Sequence, residues 1–336
     1  MNILPLDVFL ALSVEKYYAN THSPIGKNGD FITAPEASQL FCHAIAVWLY
    51  NTISKLNKRV TLVELGAGYG TLMSEILIFL EQDYNIINQI ENIFLIENSE
   101  LMIEKQKQKL TCKKVQWLRS IDEITTDNAI IFLANEFFDA MPIKQFIYMN
   151  DTFHEIYVSD LKLIRNSEEL SLNHMEILMQ YSNCKPSDFK NENVYELSTI
   201  SLSVLNTIAQ KISMNSGGCL IIDYGYDIPL KRNTIQAIKS HEILKNFLQP
   251  IGNVDISSQV DFGAMTNFLG KHYSNLSLCY ATQSEFLHKN HIIELSENAR
   301  KHAKTSDDLR KIEYELQYIL SNMKENFKVL EIIANS

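Results

Sequence analysis

Three glycines spaced two apart, Gly66, Gly68 and Gly70, lie between the apolar run "VTLVEL" and the helix-like run "TLMSEILIFL". Without a Cβ at these points the chain can bend sharply and bring its amides against a ligand. A strand before and a helix after are the setting that a nucleotide-type site requires. The spacing is G-x-G-x-G rather than the G-x-G-x-x-G of a dinucleotide turn, and the absence of a following Gly-Lys-Ser/Thr excludes a P-loop. Glu64 stands two positions before the first glycine. A carboxylate there repels a pyrophosphate and suits a cationic amino-acid moiety. Glu97 closes the next apolar run, where a carboxylate can accept from ribose hydroxyls; a nicotinamide cofactor would use the same acid. The competing explanation is a tight strand–helix turn that holds no ligand.

S-adenosyl-L-methionine carries both a sulfonium and an α-ammonium group, and class I methyltransferases use a strand–GxGxG–helix arrangement. Spacing and Glu64 together favour that cofactor over a nicotinamide. Further acids sit at other apolar run ends. "ANEFFDAMP" begins where "AIIFLA" stops, and open α/β sheets bind ligands at the carboxyl ends of their strands. Asn135 and Glu136 therefore face a cleft, with Asp139 about one turn on, while Asp223 ends "CLIID". Asp139 also suits a solvated loop, and Phe137 and Phe138 suit core packing. Asp255 and Asp261 in "DISSQVDF" line a substrate side, or Asp261 caps a helix.

These residues need a scaffold, and the hydrophobic pattern supplies one. Runs at 60–65, 92–97, 114–118, 129–134 and 219–223 have the length and β-branched content of buried parallel strands. Helix-spaced runs separate them, with Ser99 as an N-cap, and the alternation predicts a doubly wound α/β sheet. "APEASQLFCHAIAVWLY" predicts one helix starting near Thr33 or Ala34, with Pro35 in its first turn. Residues 143–166 predict an antiparallel meander turning near Asn150-Asp151, followed by a polar stretch at 182–193 and a helix at 198–213. A polar loop is expected at 227–241, a helix near 261–271 and a charged helical stretch at about 284–323. Late strands are expected at 275–283 and 327–334. The implied organisation is an N-terminal helical or lid segment (1–58), a core (59–141 and 215–336) and an inserted cap (142–214). A second independent domain is the alternative for the insertion.

With 46% hydrophobic and 21% charged residues, the 336-residue chain has the make-up of a globular protein with a full core. Its net charge of -10 argues against a nucleic-acid surface and leaves room for cationic partners. Cys42, Cys112, Cys184, Cys219 and Cys279 are scattered, which predicts reduced thiols and no metal site. The apolar start lacks a basic region, Asp7 interrupts it, and no apolar run reaches a membrane span. A soluble, cytoplasmic chain is the expectation.

Six stretches taken together resemble a known family. They are "IGKNGDFITAPEASQLF" (25–41), "VELGAGYGTLMSEIL" (63–77), "ANEFFDAMPIKQF" (134–146), "LIIDYGY" (220–226), "DISSQVDF" (255–262) and "MKENFKVL" (323–330). In this order the chain resembles the protein arginine methyltransferases that include a mitochondrial complex I assembly factor and MidA-type bacterial relatives. Tyr69 stands where the family often has a basic residue, Cys42 replaces a usual glycine, and "IENS" replaces "EVS".

The resemblance implies a class I, Rossmann-like fold with the cap inserted after the fourth strand and additional C-terminal helices. It implies S-adenosyl-L-methionine bound by Glu64, Gly66, Gly68, Gly70, Glu97, Asn98 and Asn135. "GDFITAPE" would fold over the cofactor as a lid through Gly29, Asp30, Phe31 and Thr33; capping of the next helix by Asp30 and Thr33 is an equal alternative. It also implies an arginine-bearing protein substrate, a respiratory complex I subunit in the family's best-known setting. A carboxylate can hold a guanidinium through paired hydrogen bonds and orient one nitrogen for transfer. Glu136 is the candidate clamp, with Asp139 or Asp223 as second acid. A non-catalytic cofactor-binding assembly factor and an NAD-dependent oxidoreductase are the rival functions.

Overall fold

The computed structural model describes residues 3–21, 24–26, 29–169, 172–182, 187, 189–323 and 326–335. Cys184 with residues 183, 185, 186 and 188 of its polar stretch, residues 27 and 28 of the first family stretch and residues 324 and 325 of the last lie outside them. The chain forms two compact units. A sheet unit comprises Ile32–Glu136, Ile208–Asp223 and Asn275–Ser336; a meander unit comprises Met1–Phe31, Phe137–Thr207 and Tyr224–Ser274. The expected boundaries follow chain order, whereas residues 1–31 and 224–274 pack with the inserted segment. The apolar faces of Leu6, Phe9 and Leu10 and of Ala237, Val254 and Ile256 are buried against Ile143, Ile156 and Val158 there.

The sheet strands are β1 (Val60–Leu65), β2 (Ile90–Ile96), β3 (Val115–Leu118), β4 (Ala129–Asn135), β5 (Gly217–Tyr226), β6 (Leu276–Thr282) and β7 (Phe327–Ala334). Their order is β3-β2-β1-β4-β5-β7-β6, parallel from β3 to β5, with β6 antiparallel to β7. Every residue of β1 is buried, as is all of β4 up to Ala134, which is why β4 reads as an unbroken apolar run and β1 as one interrupted only by Thr61 and Glu64. Strand order reverses between β1 and β4, so the crevice at their carboxyl ends is the switch point where such sheets bind ligands. Helices α1 (Gln39–Ile53), α2 (Thr71–Leu80), α3 (Glu100–Lys109) and α4 (Ser306–Gln317) belong to this unit. Leu49, Ile53, Met73 and Ile76 of the first two join Leu62, Leu95 and Ile131 in its core.

The helix expected from Thr33 onward is two. A short turn, Ala34–Ala37, ends at Ser38, which is extended at φ -148°, and α1 then begins. Ser38 caps the new start by accepting from the Phe41 amide at 3.3 Å. The buried carboxylate of Glu315 accepts from the Gln39 amide at 3.1 Å, placing negative charge at the helix N-terminus. The charged stretch at 284–323 likewise divides, into Gln283–Lys289, Ile292–His302, α4 and a π-helical turn, Tyr318–Asn322. The polar loop at 227–241 contains a strand, Gln236–Lys239, paired with Asp255–Ser257.

In the meander unit, Lys144–Met149, Thr152–Ser159 and Lys162–Glu169 run antiparallel. Asn150 and Asp151 have φ of 49° and 62°, as do Asp160 and Leu161 at 49° and 56°, the positive values a two-residue hairpin turn demands. Val194–Leu197 extends this sheet along Lys144–Met149. Among the described residues no helix is long and apolar enough to cross a membrane.

Candidate active site

The glycine turn leaves β1 and opens α2. Gly66, Gly68 and Gly70 take φ of 62°, 52° and 75°, the left-handed region that glycine enters without steric cost. A Cβ on Gly70 would also stand 3.0 Å from Leu110 Cδ1. Glu64, at 3% exposure, sits beneath the turn. Burial pushes its carboxyl up to about 8, opposed by a hydrogen bond from the Met73 amide. Among the described residues its Oε2 has no hydrogen-bond partner, although the atom is buried. Such an atom costs free energy unless something else completes it, and a ligand ammonium at the turn would do so.

Glu97 follows β2. Its Oε1 accepts from the Ser99 amide at 2.9 Å and its Oε2 from Gln106 Nε2 at 3.2 Å. Burial nonetheless raises its pKa. Ionised, a carboxylate has about four acceptor positions, so capacity for ribose hydroxyls remains. Asn98 beside it is exposed, and its amide also supports the Glu97 carboxylate. Ser99 caps α3 as expected, accepting from the Met102 amide at 3.4 Å.

Gln106 was missed by the sequence reading. Fully buried on α3, it donates from Nε2 to Gly68 O at 2.9 Å as well as to Glu97, and its Oε1 accepts from Trp117 Nε1 at 2.8 Å. One amide thus ties the glycine turn to the acid on the next strand. A signal did exist: Gln106 falls on the helical stripe of Met102, Ile103 and Leu110, where an uncharged polar residue among apolar ones calls for buried partners.

Glu136 follows β4 directly with φ of 48°, a conformation unfavourable for a residue with a side chain. Its amide donates to Ile222 O on β5 at 2.9 Å. Oε1 accepts from the Ala34 amide at 3.1 Å and from Asn135 Nδ2 at 3.3 Å. Asn135 Oδ1 is buried and, among the described residues, without a partner. Glu36, at the other end of the same short turn, accepts from Thr71 Oγ1 in α2 and faces Lys109 Nζ at 3.8 Å. Residues 34–37 therefore link the end of β4 to the start of α2. Thr33 occupies the N-cap position of this turn but makes no side-chain cap bond. Asp223, fully buried on β5, follows the Ile222 carbonyl that holds Glu136.

The remaining expected residues belong to the meander unit. A Cβ on Gly29 would lie 2.4 Å from Pro24 O, so the turn that returns Phe31 to Ile25 requires glycine. Asp30 pins this turn: Oδ2 accepts from the Tyr17 hydroxyl at 2.6 Å and Oδ1 from the Ser240 amide at 2.7 Å. Asp139 has its pKa raised by burial and is hydrogen-bonded by Tyr224. Asp255, hydrogen-bonded by Tyr18, is raised by burial and then by the charge of Asp139. Asp261 caps the helix Phe262–His272, accepting from the Ala264 amide at 2.8 Å. Phe137 and Phe138 pack edge to face at 5.3 Å. The structure thus brings Glu64, the glycines, Glu97, Asn98, Asn135, Glu136, Asp223 and Thr33 into one unit, and Gly29, Asp30, Phe31 and Asp139 into the other.

A family model described as "Putative S-adenosyl-L-methionine-dependent methyltransferase" matches residues 44–282. The chain belongs to this methyltransferase family. Its cofactor is S-adenosyl-L-methionine, and the turn, the incomplete Glu64 carboxylate and Glu97 fit that molecule's ammonium and ribose. Membership sets aside the oxidoreductase alternative. The chain is similar to the protein arginine methyltransferase NDUFAF7 homologue of Caenorhabditis elegans, 28% identical over 277 residues, covering 75% of this chain and 63% of that protein. Against human NDUFAF7 it is 26% identical over 267 residues, with 71% and 58% covered. The chain thus spans less than two thirds of the length of either relative. A COG1565 superfamily member from Burkholderia thailandensis, solved with S-adenosyl-homocysteine, superposes with a TM-score of 0.80 at 20% identity, covering 98% of this chain and 88% of that one. That likeness supports the methyltransferase fold expected from the sequence.

The cytoplasmic location expected from the sequence is corrected by these relatives, which are named as mitochondrial proteins. Reduced, scattered thiols separate reducing from oxidising compartments but not one reducing compartment from another.

Proposed function

We propose that this methyltransferase acts on an arginine side chain of a partner protein, with Glu136 as the clamp for the acceptor guanidinium. The observation that carries the reading is Glu136 itself: a carboxylate at the switch point, held in an unfavourable backbone conformation and anchored through one oxygen to the Ala34 amide. Strain of this kind persists where the surroundings impose it and clusters at functional sites. The relatives' name, protein arginine methyltransferase, supports the same acceptor. The respiratory complex I subunit implied by the family resemblance is the partner we favour.

Bound S-adenosyl-L-methionine supplies an electrophilic methyl group. The chain's residues do the rest. The glycine amides and Glu64 hold the amino-acid end, and Glu97, steadied by Gln106, holds the ribose. Glu136 accepts two guanidinium N–H groups in a charge-assisted pair and turns one nitrogen to the methyl. A guanidinium keeps its proton in water, so the carboxylate is also the base that takes the proton the nitrogen loses. Asp223 of the same unit is the candidate second acid.

The test is incubation of the full chain with labelled methyl donor and an extract of the source cell, followed by mass spectrometry of the labelled residue. Label on arginine that Glu136→Gln reduces by at least tenfold, with S-adenosyl-homocysteine affinity kept within about threefold, is the expected result. Label on another residue type, or full labelling by Glu136→Gln, defeats the proposal.

A further inference from the structure

Helix α4 runs into the π-helical turn Tyr318–Asn322, a widening found frequently at functional sites. Fully buried Gln283 donates from Nε2 to Ile319 O at 3.2 Å and so fixes the turn. One turn earlier, Glu315 accepts from the Gln39 amide at 3.1 Å and from Ser38 Oγ at 3.2 Å. Residues 34–38 therefore run from Glu136, at Ala34, to Glu315. Tyr314 and Tyr318 flank Glu315, four residues apart on the same face of the helix. Their rings stack at 6.1 Å with 22° between planes. Tyr314 is 64% exposed and Tyr318 half-buried. Among the described residues the Tyr318 hydroxyl makes no hydrogen bond. Its ring packs at the edge of the apolar core, and burial, with the charge of Glu136 second, raises its pKa.

A carboxylate beside aromatic faces suits one cation best. A guanidinium is flat: its edge pairs with the carboxylate, and its weakly hydrated faces lie against rings. An ammonium is compact and strongly hydrated, and gains less from the same surface.

We propose that Tyr318 and Tyr314 form an aromatic strip that selects the acceptor arginine, with Tyr318 against the guanidinium held by Glu136 and Tyr314 at the outer rim. The inference rests on the arginine reading above and adds the residues that set specificity. It also gives the π-helical turn a purpose, since widening the helix at Tyr318 presents that ring without moving Glu315.

The test uses the full chain, 13C-labelled on its tyrosine rings and saturated with S-adenosyl-homocysteine. It is titrated with Nα-acetyl-L-arginine amide and, separately, the lysine counterpart. The arginine probe is expected to shift the Tyr314 and Tyr318 ring signals saturably, and the lysine probe to bind at least fivefold more weakly. Tyr318→Ala should weaken the arginine probe about two- to thirtyfold, the range of a cation–π contact. Tyr318→Phe should retain it within twofold, because the ring remains. Both variants should keep wild-type affinity for S-adenosyl-homocysteine, which also shows that they fold. If Tyr318→Ala binds the arginine probe normally while Glu136→Gln does not, the strip is overturned and the clamp survives. If the wild type shows no saturable shift, both fall. If Tyr318→Ala loses S-adenosyl-homocysteine instead, the rings serve the cofactor and the inference is overturned.

Discussion

Glu64 in the sheet unit and Glu196 in the meander unit are both buried carboxyls, and burial raises the pKa of each. Their surroundings differ. Glu196 is completed by the protein: Oε1 accepts from Gln145 Nε2 at 2.8 Å and from the Thr234 amide at 2.9 Å, and Oε2 from Thr234 Oγ1 at 2.6 Å. Glu64 has an amide on one side and, among the described residues, no partner for Oε2. Desolvation alone does not mark a functional acid. The distinction is whether the fold itself supplies the acid's hydrogen bonds, and of these two acids Glu64 is the one with an oxygen that has no partner among the described residues.

Substitutions at the two acids should therefore separate stability from binding. Glu196→Ala should have the largest effect, lowering stability by about 3 kcal/mol, because it strands the buried donors of Gln145 and Thr234. Denaturant unfolding measures it, and S-adenosyl-homocysteine affinity of the folded variant should not move. Equal destabilisation by Glu64→Ala would erase the contrast.

Glu64→Gln should do the reverse. The amide fits the same space and carries no charge, so the melting temperature should not fall. Affinity for S-adenosyl-homocysteine should drop by about ten- to a hundredfold, the loss of a charge-assisted partner worth about 1.5–3 kcal/mol. Calorimetry reads the affinity and a thermal melt reads the stability; a melt that falls with affinity unchanged would make Glu64 a structural acid like Glu196.

Gln106→Leu sharpens the comparison within the sheet unit. Leucine fills the volume but frees Gly68 O, Glu97 and Trp117 together. A weakening of S-adenosyl-homocysteine binding by about fivefold to twentyfold is expected, from one or two net hydrogen bonds at roughly 1 kcal/mol each. Affinity within twofold of wild type would reduce Gln106 to packing.

The smallest effect is a pH dependence. The folded pKa of Glu64 is about 8, above its ordinary 4.5. Between those values the folded protein holds a proton that the unfolded chain has lost, so this group's contribution to stability is present below pH 4.5 and is lost as pH rises through 8. A ligand ammonium favours the ionised form, so binding below pH 8 should release a proton and strengthen as pH rises. The heat of binding should then vary with the ionisation enthalpy of the buffer in the wild type and not in Glu64→Gln. An identical buffer dependence in both would show that the proton comes from elsewhere.

Much of this was legible in the chain. Central strands are largely apolar, so β1, β4 and β7 could be placed closely from the sequence, and the polar residues in or just after the strands then located Glu64, Glu97, Asn135 and Glu136. Glycine spacing and a neighbouring acid are local chemistry, legible without a fold. Other features depended on contacts between residues far apart in sequence. Ser38 breaks the predicted helix because Glu315, 277 positions away, binds there. Asp30 became a pin through Tyr17 and Ser240, and Gln106 became a brace because Gly68 and Trp117 converge on it. Whether a buried acid is completed by the fold or left for a ligand was decided by tertiary structure alone, since its hydrogen-bond donors come from other segments of the chain.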